Sequence, residues 1–132
     1  MGDVHFFQKY NLLNLLKRVA VSPQAYLPGL IVFDKTGQIK EVNNFTLKRS
    51  GHNKKELLKK KIWELLAEPQ QENFRRFILN MIETGETPPP QIYQMPAKTP
   101  AQEYNIMAHY CPHFNAKGYV KSVSAISIPF DK

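Results

Sequence analysis

The segment from Gly29 to Asn43 constrains the fold of this chain more than any other stretch. It reads GLIVFDKTGQIKEVN, an apolar run followed by an Asp-Lys-Thr-Gly turn and a second short run. Turn-forming residues between two β-branched runs predict two strands joined by a tight turn. Asn43 can then cap a helix that starts near Phe45, because its side-chain oxygen can accept a hydrogen bond from a backbone N–H group.

The segments that follow predict an α+β domain. Asn53 can cap a short helix over residues 54–59, and residues 62–66 form another helical turn closed by Pro69. Residues 70–84 carry apolar side chains at helical spacing and end at Gly85, which predicts the longest helix after the hairpin. Extended segments are predicted at 91–96, 102–114 and 118–128. With the first hairpin they give five strands, which favours an antiparallel sheet.

Together these segments resemble a PAS domain. The family opens with a strand ending in Asp, a turn with Gly, a strand ending in Asn and a short helix. Asp34 and Asn43 occupy the two strand-end positions here. A glycine follows, here Gly51, and then a Glu-Leu-Leu segment at 56–58, while PHFNAKG at 112–118 looks like the last hairpin. The resemblance implies a PAS domain over residues 27–130, with a five-stranded antiparallel sheet, short helices and one long helix across the sheet.

Residues 1–22 are predicted to form an amphipathic flanking helix. Apolar side chains recur at spacings of three and four, and Ser22-Pro23 ends the pattern. The resemblance implies that such a helix packs on the sheet or on a second subunit. We expect a homodimer, with the helix packing on its own sheet as the alternative. The expected interface residues are Phe6, Tyr10, Leu13 and Leu16.

The resemblance also implies an internal cavity between the sheet and the long helix. Side chains alternate across a strand, so the even-numbered residues from 104 to 110 share one face, and alignment with the family hairpin turns this face towards the cavity. An apolar cavity with a few polar groups is typical of a small-molecule site, although aromatic side chains could instead fill it. The expected ligand-binding residues are Phe45, Trp63, Phe74, Phe77, Ile78, Met81, Tyr93, Ile106, Ala108, Tyr110, Ala125 and Ser127.

His109, Cys111 and His113 carry atom types that bind zinc or copper. Residues two apart on a regular strand are separated by roughly 6.6–6.8 Å, so three of them do not converge on one ion. The sequence therefore predicts no metal site, and these side chains are expected on the outer face of the sheet.

Two familiar PAS cofactors and catalytic activity are not expected. Flavin-binding members carry a reactive cysteine in the helical region, which reads KKIWELL at 60–66, and the single cysteine is Cys111 on a late strand. Haem-binding members usually place a histidine on or near the long helix, and residues 70–84 contain none. Because no nucleophile, phosphate-loop or zinc-protease motif is present, the chain is not predicted to be an enzyme.

The net charge of +7 allows a second interpretation. Basic residues cluster at 48–49, 54–55, 59–61 and 75–76, which could bind nucleic acid, but interleaved glutamates favour a solvated helix surface. A single cysteine suits a reducing cytoplasm, and no apolar run reaches the roughly 18–20 residues of a membrane span. The prediction is a cytoplasmic PAS sensory or interaction module of a signalling or transcription-regulatory protein, acting on an effector partner, with a basic nucleic-acid-binding module as the alternative.

Overall fold

The computed structural model describes residues 28–96 and 104–129. The predicted helix over residues 1–22, with its stripe from Phe6 to Leu16, lies outside the described residues. In the described ranges the helices are α1 (Asn44–Ser50), α2 (Lys54–Leu57), a 3₁₀ helix (Ile62–Leu65) and α3 (Glu68–Thr84). The strands are β1 (Gly29–Asp34), β2 (Ile39–Val42), β3 (Gln91–Met95), β4 (Tyr104–Phe114) and β5 (Val120–Pro129).

Five strands of the described chain form one antiparallel sheet in the order β2-β1-β5-β4-β3. The first and last strands are neighbours in its middle, where Gly29 lies opposite Ser127 and Ile31 opposite Ala125. All the helices described here connect β2 to β3, so they cover one face of the sheet. The predicted α+β class with a five-stranded antiparallel sheet is therefore confirmed.

The hairpin and its helix cap follow the sequence prediction. The Asp34 carboxylate accepts hydrogen bonds from the Thr36 and Gln38 backbone N–H groups at 2.9 and 3.1 Å, which closes the turn. Asn43 Oδ1 accepts from Thr46 N at 3.1 Å and caps α1. Asn43 also joins this cap to β1, since Oδ1 accepts from Leu30 N at 2.9 Å.

The long helix begins earlier than predicted. Pro69 lies in the first turn of α3, whereas the sequence prediction used it to close the preceding segment. A proline is accommodated there because the first N–H groups of a helix have no partner within the helix. At the other end Gly85 adopts a left-handed conformation, and its N–H group donates to the Met81 carbonyl at 2.8 Å, so the predicted C-terminus is confirmed.

The core lies between the inner face of the sheet and α3. Phe33 and Val123 from the sheet and Ile78 from the helix are fully buried. On the outer face, within the described ranges, Ile92 and Ile126 are 55% and 38% exposed. None of the helices in residues 28–96 and 104–129 has the length and apolar character needed to cross a bilayer.

Candidate ligand-binding cavity

A cavity of about 180 Å³ lies between the inner face of the sheet and the helices that precede α3. The sheet contributes side chains from β1, β3, β4 and β5, and the opposite wall comes from α1, α2, the 3₁₀ helix and the first half of α3. Most of these side chains are apolar, so the cavity can hold a small molecule with a largely apolar surface.

Seven of the twelve sequence-predicted site residues line this cavity. The strand residues do so because alternation places every second side chain of β4 and β5 on the inner face, and the β4–β5 register aligns Ala108 with Ser127 and Tyr110 with Ala125. Phe74 reaches the cavity from α3, and its ring packs on Tyr93 with centroids 5.0 Å apart. The seven residues are Phe74, Tyr93, Ile106, Ala108, Tyr110, Ala125 and Ser127.

The other five predicted residues are not among those that line this cavity. Ile78 and Met81 are buried in the core further along α3. Phe77 packs edge-on against the Tyr110 ring with centroids 5.6 Å apart. Trp63 covers Gly37 in the first turn. Phe45 is half-buried on α1, and its neighbour Thr46 is the first residue of that helix to line the cavity.

Sequence reasoning chose Phe45 on α1 and missed the residues of this helix that line the cavity. Thr46, Arg49 and Ser50 line the cavity, and their spacing of three and four places them on one face of the helix. A search for apolar stripes does not find this face because it is polar. The spacing itself was the available signal. Leu57, Ile62 and further residues from the short helices and the end of β3 complete the wall.

Two tyrosines provide hydrogen-bonding groups inside the cavity. The Tyr110 hydroxyl donates to the Tyr93 hydroxyl at 3.1 Å. Burial raises the pKa of Tyr93 and raises that of Tyr110 well above its ordinary value, because the charged phenolate would lose its hydration. Both groups are therefore protonated at neutral pH, and the Tyr93 hydroxyl can donate to a ligand.

Arg49 is the cation at the cavity wall contributed by α1. Its side chain is half-buried, and this burial lowers the pKa of the guanidinium. An arginine stays protonated at neutral pH despite such a shift. Burial also raises the pKa of the neighbouring Tyr104 phenol, which is therefore neutral beside the guanidinium. The cavity thus combines apolar walls with a fixed positive charge.

The three candidate metal-binding residues lie on the other side of the sheet. His109, Cys111 and His113 occupy alternate positions of β4 on the outer face, and His113 Nε2 is 2.7 Å from Ser124 Oγ. Burial lowers the pKa of the His109 imidazole. Within the described residues, no group of three or more His, Cys, Asp or Glu side chains is arranged to hold a metal ion.

Residues 27–129 match the sequence model of the family described as PAS fold. A search of curated proteins finds no match. Three solved structures illustrate the similarity, and at identities of 12–17% they show a shared fold.

One of these structures is the PAS domain of the quorum-sensing receptor RpfR from Cronobacter turicensis, solved with BDSF and with C12:0. It is 12% identical, and the alignment covers 79% of this chain and 94% of that one with a TM-score of 0.63. The PAS domain of BvgS from Bordetella pertussis is 17% identical over 92% and 88% of the two chains, with a TM-score of 0.66. A sensory box sensor histidine kinase from Vibrio cholerae is 13% identical over 95% and 98%, with a TM-score of 0.63.

Proposed function

The chain belongs to the PAS fold family, and on that premise we propose that it is a sensory module that binds a small molecule in the cavity between its sheet and its short helices. The observation that carries this proposal is the cavity of about 180 Å³, whose walls are mostly apolar and include a few polar groups. The RpfR domain, which shares the fold, was solved with a bound ligand. The proposed role is non-catalytic and cytoplasmic.

A structural change caused by a ligand in the cavity can be transmitted through β4 to the opposite face of the sheet. Ala108 and Tyr110 line the cavity, while the adjacent residues Met107 and His109 alternate onto the outer face. A ligand that displaces the inner side chains therefore shifts the strand that carries the outer ones. We assign the outer face to signal transmission, through the predicted N-terminal helix or through a second copy in a homodimer.

The cavity can be tested by reducing its volume. Ala108 is buried and lines the cavity, so Ala108→Leu should reduce the space available to a ligand. Ala67→Leu is the matched control, because Ala67 is exposed before α3. Native mass spectrometry of protein purified without added ligand should show a retained small molecule for the wild type and the control, and less of it for Ala108→Leu. Thermal melts of all three proteins check that each one folds.

Two results would contradict the proposal. The first is a wild-type protein that retains no molecule and whose melting temperature no compound in a small-molecule panel raises. The second is a salt-dependent complex with nonspecific DNA as the only binding activity, which would favour the nucleic-acid alternative. One of the four basic clusters on which that alternative depends is already paired, since Arg75 and Arg76 contact the Glu72 carboxylate at 3.1 and 3.3 Å.

A further inference from the structure

Three polar atoms converge beside Gly29 at one end of the cavity. A Cβ placed on this glycine would be 2.6 Å from Ser127 Oγ, 2.7 Å from Thr46 Oγ1 and 3.4 Å from Arg49 Nη1. Because glycine has no side chain, a hydroxyl from β5 and a hydroxyl and a guanidinium from α1 can approach the same point. The sheet and the helix thus bring three polar atoms together at the cavity wall.

The two hydroxyls at this end have different roles. Thr46 Oγ1 donates to Asn43 Oδ1 at 2.9 Å, so it is held in place by the helix cap. Ser127 Oγ is 3.5 Å from the Gly29 carbonyl, which is longer than the roughly 2.5–3.0 Å of a strong O–H···O bond. The Ser127 hydroxyl can therefore rotate and donate to a ligand at little cost.

The charges of the cavity wall favour an anion. Arg49 and Lys60 contribute basic side chains, whereas the His52 imidazole lies 2.9 Å from the Glu56 carboxylate, and the one acidic side chain among the described lining residues is Glu64. Glu64 already accepts a hydrogen bond from the Lys61 backbone N–H at 2.8 Å. A half-buried guanidinium is poorly hydrated, and its planar fork of N–H donors matches the two oxygens of a carboxylate.

The volume limits the size of the ligand. The cavity of about 180 Å³ is slightly larger than an engineered cavity of about 150 Å³ that binds benzene. Phe74, Ile106, Ala108 and Tyr110 are among the side chains that line it. A single ring or a short alkyl chain therefore fits, and a long acyl chain requires the walls to move.

From these observations we propose that the cavity selects a small monocarboxylate with an apolar body, whose carboxylate binds Arg49 and Ser127 while the body contacts Phe74 and Ile106. This assignment rests on the proposed sensory function and names the ligand class of the same cavity. Arg49 is the residue that sets the preference for an anion, and the size of the apolar part excludes large members of the class.

The test uses the full chain and three probes, namely benzoate, its neutral analogue benzamide, and hexanoate. Titrations followed by ¹H–¹⁵N NMR should show that benzoate and hexanoate bind about tenfold or more tightly than benzamide, as expected for a charge-assisted contact. The Gly29, Thr46 and Ser127 amides should shift with both carboxylates. Arg49→Gln should remove the preference by weakening benzoate about tenfold while leaving benzamide unchanged. The matched control is Lys48→Gln, an exposed lysine on the same helix, which should change neither affinity.

The outcomes separate this inference from the proposed function. Benzamide binding as well as benzoate to the wild type would overturn the carboxylate assignment and leave the cavity as a ligand site. Absence of binding by all three probes would also overturn the assignment, while retention of another molecule in the native mass spectrum would still support a sensory cavity. If Arg49→Gln does not fold, the carboxylate assignment is tested by the benzoate affinity of Ser127→Ala and by the ratio of the wild-type affinities for benzoate and benzamide.

Discussion

At the scale of single residues, glycines determine which side chains can approach each other. Gly29 allows three polar atoms to meet at the cavity, and Gly37 allows the Trp63 indole to cover the first turn. Gly37 also has a φ of 87°, a conformation that residues with a side chain rarely adopt. Two separate constraints therefore act at Gly37, the backbone conformation and the contact with Trp63.

We predict that Gly37→Ala destabilises the protein more than Gly118→Ala. The two glycines have nearly identical φ values of 87° and 86°, so both substitutions carry about 1 kcal/mol of backbone strain. A Cβ at Gly37 would overlap the Trp63 ring, whereas a Cβ at Gly118 has no neighbour within 4 Å. Urea unfolding should show an additional loss of about 1–3 kcal/mol for Gly37→Ala. Equal losses for the two variants would show that Trp63 does not constrain the turn.

Tyr110 should make the stability fall at high pH. Burial raises its pKa in the folded state, so the unfolded chain releases the phenolic proton first, near its ordinary pKa of about 10. The stabilising effect is complete below pH 10 and is lost as the pH rises towards the folded-state pKa. The free energy of unfolding should drop by about 1 kcal/mol more between pH 8 and pH 11 in the wild type than in Tyr110→Phe. Parallel curves for the two proteins would refute this assignment.

At the scale of secondary structure, Asn43 joins β1 and α1 through one side chain. Its Oδ1 accepts from Leu30 N in β1 and from Thr46 N in α1, and its Nδ2 donates to the Pro28 carbonyl at 3.0 Å. Asn43 follows the last residue of β2, and its side chain caps α1 and holds α1 against β1. Because α1 carries Thr46 and Arg49, this cap also positions these polar residues at the cavity wall.

Asn43→Ala should cost more stability than the equivalent change at the next helix cap. The Asn53 side chain accepts a hydrogen bond from Glu56 N at 2.8 Å and caps the short α2. We expect a loss of about 0.5–1 kcal/mol for Asn53→Ala and about 2 kcal/mol or more for Asn43→Ala, measured by urea unfolding. In the ligand titrations, Asn43→Ala should also weaken benzoate, since it releases Thr46. An Asn43→Ala variant no less stable than Asn53→Ala would contradict the proposed linkage.

At the scale of the whole molecule, the sheet has an outer face that carries apolar side chains, among them Ile92 and Ile126. The stripe predicted from Phe6 to Leu16 is also apolar, so it is suited to pack on an apolar sheet face. Burial of such a stripe on a second copy would give the homodimer proposed above, and burial on its own sheet would give a monomer.

A substitution within the stripe should therefore change the molecular mass in solution. We predict that Leu13→Asp converts a dimer to a monomer, because a carboxylate in an apolar interface loses its hydration without gaining a partner. Asn14→Asp is the control, since it introduces the same charge one position away, outside the stripe. Analytical ultracentrifugation measures the mass of both variants and of the wild type. A monomeric wild type, or a Leu13→Asp variant that stays dimeric, would refute the dimer interface.

Local sequence determined the elements of this fold because their signals act over a few residues. The Asp-Lys-Thr-Gly turn, the Asn43 and Asn53 caps and the Gly85 helix end were predictable from short-range hydrogen bonds and backbone conformation. Strand alternation likewise predicted that Ile106, Ala108 and Tyr110 share one face, and the resemblance to the family hairpin implied that this face is turned towards the cavity. The tertiary structure alone decided how the helices meet the sheet. In the folded protein the polar face of α1, with Arg49, lines the cavity, while Ile78 and Met81 lie in the core. These positions could not be predicted locally because helix placement depends on packing between residues far apart in the chain.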